Sequence, residues 1–146
     1  MKVFIAVDNS ELAEKAFDWY YRELHKDGND VLVAHSAEYP HIGSYAFLGG
    51  QLPVEEIHAA SAEATRKYEA LKEKYLKKIE DQQSAKIFFE VHEKPAEGLV
   101  KMAEKSHCDF IVIGSRGLGA VRRTILGSIS DYVMHHAKVP VMVFHK

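Results

Sequence analysis

The most informative segment of this 146-residue sequence reads FIVIGSRG, residues 110–117, and is followed after nine residues by Gly127 and Ser128. Its first four residues form an apolar run typical of a buried parallel strand, and ISDYVM, residues 129–134, predicts a short helix. A strand, a glycine-bearing loop and a helix N-terminus are the parts of a phosphate site, because glycines admit close backbone approach and free N–H groups attract anions. The same glycines would also suit a loop that merely turns, so both interpretations stay open at this point.

Two common phosphate-binding motifs are excluded for this segment. No Lys follows Gly127, so the stretch is not G-x-x-x-x-G-K-[ST]. Gly117 and Gly119 have the first spacing of G-x-G-x-x-G, but Arg122 stands where the third glycine should be.

Outward from this segment, strands and helices are predicted to alternate along the whole chain. Apolar runs predict four more strands, and helical spacing of apolar residues predicts three more helices, the first of them capped by Ser10. This alternation indicates right-handed β-α-β units and a parallel sheet with helices on both faces. The sequence therefore predicts one α/β domain over residues 1–146, a five-stranded doubly wound parallel sheet. The strands are expected at residues 3–7, 31–34, 87–91, 110–113 and 139–144, and the helices at 10–24, 53–83, from 95 and 129–134.

Charge and motif content exclude several functional classes. The net charge of −2 argues against nucleic acid as the main partner, since such domains usually carry a basic excess. The apolar run before Asp8 is too short for a signal peptide or a membrane span. We therefore expect a cytoplasmic protein that does not associate with a membrane. Neither H-E-x-x-H nor C-x-x-C is present, and no metal site built only from protein ligands is expected.

Two motifs far apart in the chain resemble those of the universal stress protein family, in its nucleotide-binding branch. The pattern G-x-x-G, nine residues, G-[ST] is met by Gly114, Gly117, Gly127 and Ser128, and V-D-x-S is met at residues 7–10. The resemblance covers essentially the whole chain and implies the strand order 3-2-1-4-5. It also moves the interpretation of the glycine loop strongly toward a nucleotide site.

In that strand order the two motifs meet. Strands 1 and 4 are neighbours at the point where the order reverses, and ligands of open α/β sheets bind beyond the carboxyl ends of the strands there. Asp8 ends strand 1 and Gly114 ends strand 4, so both are expected at one crevice.

The resemblance implies a role for each motif residue. Gly114 and Gly117 would offer backbone groups to the phosphates, and Gly127 and Ser128 would hold a phosphate at the helix start. Asp8 would contact the adenine or the ribose, or it could cap the first helix together with Ser10, and both roles could hold at once. The other residues that the resemblance places at the site are Val7, His35, Ser36, Ile113, Arg116, Ile129 and Ser130.

These further residues carry more specific expectations. Backbone groups of His35 and Ser36, just past strand 2, would hydrogen-bond the adenine edge, and Ile129 and Ser130 would contact phosphates or ribose. Arg116 would either neutralise phosphate charge or stay a solvated loop cation.

The resemblance implies ATP or AMP as the ligand and a homodimer formed through the C-terminal strand. Mg²⁺ carried in by the phosphates is compatible with the site, because this ion keeps waters and needs few carboxylates. The alternative for the last strand is an edge protected by Pro140, His145 and Lys146. The leading hypothesis is a binding module or switch. The alternatives are a slow ATPase, for which the motifs offer no Walker Lys and no water-positioning residue, and a dimeric interaction protein without ligand.

Overall fold

A computed structural model describes residues 1–39, 54–115 and 128–145. The strands are β1 (Lys2–Ala6), β2 (Asp30–Glu38), β3 (Ala85–His92), β4 (Phe110–Gly114) and β5 (Val141–Phe144). The helices are α1 (Glu11–Trp19), which continues as a π-helical turn over Tyr20–Leu24, α2 (Val54–Lys78), α3 (Pro95–Ser106) and α4 (Ser128–His136).

The strands form one parallel sheet in the order β3-β2-β1-β4-β5, which confirms the predicted order. Apolar side chains of β1, β2 and β4 alternate between the two faces of the sheet, as the pleat requires. On one face they pack against α1 and α2 through Phe17, Leu71 and Tyr75. On the other face they pack against α3 and α4 through Met102 and Val133. Helices on both faces make the fold doubly wound, as predicted.

Helix starts follow the capping signals of the sequence. Ser10 is the N-cap of α1, and its Oγ accepts a hydrogen bond from the Ala13 N–H at 3.2 Å. Pro95 occupies the first turn of α3, where its missing N–H breaks no helical hydrogen bond. Within the described residues, no helix is both long enough and apolar enough to cross a membrane.

The second strand is longer than the sequence predicts. The register of β1 with β2 ends at the pair Ala6–Ala34, whereas the register of β2 with β3 continues to Glu38–His92. Residues 35–38 of β2 therefore project past the end of β1, paired with β3. The projection forms one wall of the crevice at the carboxyl ends of the strands.

Candidate functional site

The carboxyl ends of β1, β2 and β4 and the start of α4 enclose one cleft. It lies between β1 and β4, where the strand order reverses, as expected for ligand sites of doubly wound sheets. Helix α4 begins at this cleft, and the N–H groups of a first helical turn favour a negatively charged group. The predicted site residues found in its lining are Val7, Asp8, His35, Ser36, Ile113, Gly114, Ile129 and Ser130.

The cleft continues past the projecting end of β2 into a wider groove of about 270 Å³. His35, Ser36 and Ile129 line both spaces, and Glu38, Lys67 and Tyr68 are among the residues that line only the groove. This volume approaches the lower end of small-ligand pockets, about 300 Å³. The cleft and the groove together offer an elongated site with one end at α4 and the other beside β2.

Asp8 orders the turn between β1 and α1. Its Oδ1 accepts a hydrogen bond from the Ser10 N–H at 2.7 Å, while Ser10 caps the helix. Such a carboxylate, bonded to the backbone two residues on, mimics a backbone turn. The carboxylate thus supports the helix start as the capping alternative proposed, and it also lies in the lining of the cleft.

Gly114 is required by packing. A Cβ at this position would lie 2.7 Å from the carbonyl carbon and oxygen of Leu12 and 2.8 Å from the Ala13 N. These are backbone atoms of the first turn of α1, which cannot move aside as a flexible side chain can. The glycine therefore lets α1 lie directly on the end of β4, which is a reason for it that the motif alone does not reveal.

The end of β2 directs backbone groups toward the cleft. The Val7 N–H donates to the Ala34 carbonyl at 2.8 Å, and the Tyr39 N–H donates to the His92 carbonyl at 3.3 Å on the opposite side. Successive residues of a strand turn their backbone groups to opposite neighbours. Ser36 is in phase with Ala34, so its N–H and C=O face the end of β1 and the cleft.

The side chain of His35 closes the base of this wall. Its Nδ1 donates to the Val7 carbonyl at 2.8 Å, which ties β2 to the end of β1. The imidazole lies against the rings of Tyr68 and Phe89, with centroids 6.4 and 5.2 Å away. Because the ring is held by packing and by a hydrogen bond, it presents a fixed surface to the ligand space.

Ser36 carries a second polar feature that the sequence motifs do not indicate. Its Oγ lies 2.8 Å from Nδ1 of His92, at the end of β3. Gly98 of α3 makes room for this pair, because a Cβ there would lie 2.5 Å from Cγ of His92 and closer still to Nδ1 and to the Ser36 Oγ. The only sequence signal that could have indicated the Ser36–His92 pair is the isolated glycine inside a helical pattern.

Helix α4 contributes the last part of the cleft. Ser130 is buried and Ile129 is half-buried, and both line the cleft, whereas Ser128 is exposed at the first position of the helix. Arg116, Gly117 and Gly127 lie outside the described residues, as does most of the 38–52 loop. Their predicted phosphate contacts stay predictions.

A buried hydroxyl within the glycine motif has no hydrogen-bond partner among the described residues. The Ser115 N–H donates to the Phe144 carbonyl at 2.8 Å, but the buried Oγ of Ser115 has no hydrogen-bond partner within the described part of the chain. Among those same residues, no group of three His, Cys, Asp or Glu side chains is placed to hold a metal ion.

Comparison with known proteins agrees with this architecture. The model of the universal stress protein family matches residues 1–145. A universal stress protein of Synechocystis sp. is 26% identical, with 97% of this chain and 96% of that protein covered. The universal stress protein UspA from Lactobacillus plantarum has a TM-score of 0.79 at 17% identity, covering 99% of this chain and 97% of that one. A family member from Arabidopsis thaliana, solved with AMP bound, has a TM-score of 0.70 at 20% identity, covering 99% and 90%. The chain belongs to the universal stress protein family.

Proposed function

We propose that this protein binds an adenine nucleotide, ATP or AMP, in the cleft at the carboxyl ends of β1 and β4 and acts as a binding module or switch. The observation that carries the proposal is the convergence of the two motifs. Val7 and Asp8 come from one, Gly114 comes from the other, and the three line the same cleft. The Arabidopsis relative with AMP bound supports the choice of ligand class.

The shape of the site suggests an orientation for the nucleotide. The phosphates would lie at the start of α4, where N–H groups and the helix dipole favour anions. The base would lie beside β2, where the backbone of Ser36 faces the cleft. Asp8, between these ends, would accept hydrogen bonds from the ribose hydroxyls, and any Mg²⁺ would arrive with the phosphates.

Asp8→Asn tests this orientation without disturbing the turn. An Asn side-chain oxygen can still accept from the Ser10 N–H, whereas the negative charge offered to the ribose is lost. Since a hydrogen bond to a charged group contributes about 1.5–3 kcal/mol, we expect AMP affinity to fall by about tenfold or more, measured by titration calorimetry.

The matched control is Asp109→Asn. Asp109 lies at the other end of the sheet, where its Oδ2 accepts from the Lys2 N–H at 2.7 Å. Its replacement should leave AMP affinity unchanged. Equal affinities in all three proteins would show that Asp8 does not contact the ligand, and absence of AMP and ATP binding to the wild-type protein at millimolar ligand would contradict the proposed function. Rapid, Asp8-dependent release of phosphate from ATP would instead make the protein an ATPase.

A further inference from the structure

A chain of polar side chains runs from the cleft to the outer edge of the sheet. The Ser36 Oγ lies 2.8 Å from the His92 Nδ1, the His92 Nε2 lies 3.3 Å from Oε2 of Glu90, and Lys105 Nζ donates to Oε1 of Glu90 at 2.8 Å. Ser36 is at the cleft end of this chain, and Lys105 is at its solvent end.

The surroundings hold the Ser36–His92 pair in place. Ser36 is 6% exposed, and α3 passes so close at Gly98 that a methyl group there would overlap both side chains. The other side of His92 lines a polar pocket with Glu93, Lys94 and Lys101, and 24% of its side chain is exposed. The imidazole therefore contacts Ser36 in the wall of the cleft on one side and can exchange protons with water on the other.

When His92 is neutral, the Glu90 carboxylate determines which way the hydrogen bond between Ser36 and His92 runs. A carboxylate oxygen only accepts, so the His92 Nε2 carries the proton and donates to Glu90. The Nδ1 atom is then an acceptor, and the Ser36 hydroxyl donates to it. Ser36 lines the cleft, and with its proton engaged its hydroxyl oxygen can only accept from a ligand group there.

Protonation of His92 reverses this polarity. Both ring nitrogens of an imidazolium are donors, so Nδ1–H donates to Ser36. The serine proton must then rotate away from the ring, and the hydroxyl can donate to an acceptor in the cleft that Ser36 lines.

We propose, on the basis of the nucleotide site proposed above, that the Ser36 hydroxyl reads the substituent at position 6 of a purine nucleotide and that His92 is the positioning residue that sets its polarity. A neutral His92 selects the 6-amino group of adenine, which donates. A protonated His92 removes that preference in favour of a 6-oxo group, which accepts. Base selection is thereby linked to pH in the range where histidine titrates.

Charged groups face His92 from its own strand, from β2 and from α3. Acidic groups favour the imidazolium and basic groups oppose it. Glu38 of β2 is the register partner of His92, and Glu90 lies on its own strand. The other charged residues near it, from the turn after β3 and from α3, are Glu93, Lys94, Glu97, Lys101 and Lys105.

The test compares the affinities for AMP and for inosine 5′-monophosphate, its 6-oxo counterpart, by calorimetry at about pH 5.5 and about pH 8. The ratio of the two affinities cancels the titration of the phosphate, which both ligands share. At the higher pH we expect AMP to bind about tenfold more tightly than inosine 5′-monophosphate, because a mismatched buried pair leaves two polar groups unsatisfied. At the lower pH we expect the ratio to fall to about one or to invert.

Three variants assign the effect to this chain of residues. Ser36→Ala should still bind AMP but lose the pH dependence of the preference, and any preference that its backbone groups confer should be the same at both pH values. His92→Asn, whose side-chain oxygen can accept from Ser36 but does not titrate, should keep the AMP preference at both pH values. His107→Asn is the matched control, since His107 lies at the far end of α3 in a left-handed conformation that Asn tolerates, and it should behave as the wild type.

The outcomes separate the two proposals. A wild-type ratio that is the same at both pH values, or a pH-dependent ratio that survives in Ser36→Ala, overturns the role of Ser36 and His92 while nucleotide binding stands. A wild-type protein that binds neither nucleotide overturns the proposed function itself.

Discussion

At the scale of single residues, two glycines at or beside the site are explained by the atoms that pack directly against them. Gly114 admits the backbone of α1, and Gly98 admits the His92 ring and the Ser36 hydroxyl. A positive φ is a common reason for a glycine, and among the described glycines it is seen at Gly28 but not at Gly98 or Gly114. Close approach of one element to another is therefore the property that these positions require.

Gly98→Ala should destabilise the protein. Ala would ordinarily strengthen a helix interior by about 1 kcal/mol, but here the added methyl group collides with His92 and Ser36, and overpacking costs about 1–3 kcal/mol. Since the collision also disrupts the Ser36–His92 hydrogen bond, we expect a net loss of about 1–2 kcal/mol in the free energy of unfolding, measured with urea.

The control for this substitution is Lys101→Ala on the exposed side of the same helix. It should change the free energy of unfolding by less than about 0.5 kcal/mol. A Gly98→Ala variant that is more stable than the wild type would show that α3 can move away from the sheet.

At the scale of elements, helices α1 and α2 are joined by a cluster of charges. Lys74 Nζ donates to Oε2 of Glu14 at 2.6 Å, and Lys78 lies 3.0 Å from the same carboxylate and 2.8 Å from Asp18. The hydrogen bonds from Lys74 and Lys78 hold the pKa of Glu14 below its ordinary value. The cluster ties the two helices over the aromatic contact of Phe17 with Tyr75, whose ring centroids are 5.4 Å apart.

Glu14→Gln should therefore lower stability at neutral pH and not in acid. A carboxyl whose pKa is lowered by folding stabilises the native state above its unfolded pKa, and this contribution disappears as the pH falls through the folded pKa. Because the pair is partly exposed, we expect a difference of less than about 1 kcal/mol at pH 7.

Urea unfolding at several pH values checks this prediction. The difference between Glu14→Gln and the wild type should vanish below the folded pKa of Glu14 and should shrink in high salt. Lys15→Gln is the control, since the ion pair that Lys15 makes with Glu11 lies within α1. A difference between Glu14→Gln and the wild type that does not change with pH would mean that packing, not charge, is what Glu14 contributes.

Most element positions could be predicted because buried strands are apolar runs and helices begin at capping residues. Some boundaries differ: α2 ends at Lys78 rather than at about residue 83, and β2 is longer because polar residues continue the strand. His35, Ser36 and Glu38 interrupt the apolar pattern, yet β2 continues through them because β3 still supplies hydrogen-bond partners. Pro140 was expected inside the last strand, but β5 begins at Val141, and the Pro140 carbonyl accepts from Ile111.

The candidate site was predictable where it consists of local motifs or of positions that the family resemblance supplies, as for His35 and Ser36. The cleft residues on the ends of β1 and β4 follow from such motifs and from the strand order that the family resemblance implies. The pairing of Ser36 with His92 joins positions 56 apart in sequence. It depends on the register of β2 with β3 and on the height of α3 above them, neither of which has a signature in the chain itself.

At the scale of the whole molecule, the sheet ends in β5, whose residues are apolar and only half-buried. Ile111 N–H donates to the Pro140 carbonyl and Ser115 N–H donates to the Phe144 carbonyl. Even-numbered residues of β5 thus face β4, and Val141 and Val143 turn their backbone groups to the open edge. Such an edge is suited to pairing with a second copy of the chain, as in the homodimer that the family resemblance implies.

Val143→Pro tests this dimer. Proline removes an N–H from the open edge and none from the pairing with β4, so the fold should persist while strand addition is blocked. We expect light scattering to give the mass of a dimer for the wild type and of a monomer for the variant. Val143→Thr, which keeps the N–H and the branched shape, should stay dimeric. A monomeric wild type, or a Val143→Pro protein that remains a dimer, would contradict the proposal.

The projection of β2 beyond β1 leaves a two-stranded ribbon, because at that level β2 is paired with β3. Ribbons of two strands twist more strongly than the interior of a wide sheet. The pitch of the wall beside the cleft is therefore set by its pairing with β3 and not by the central ladder. The shape of the wall that we propose to face a nucleotide would thus depend on the edge strand of the sheet.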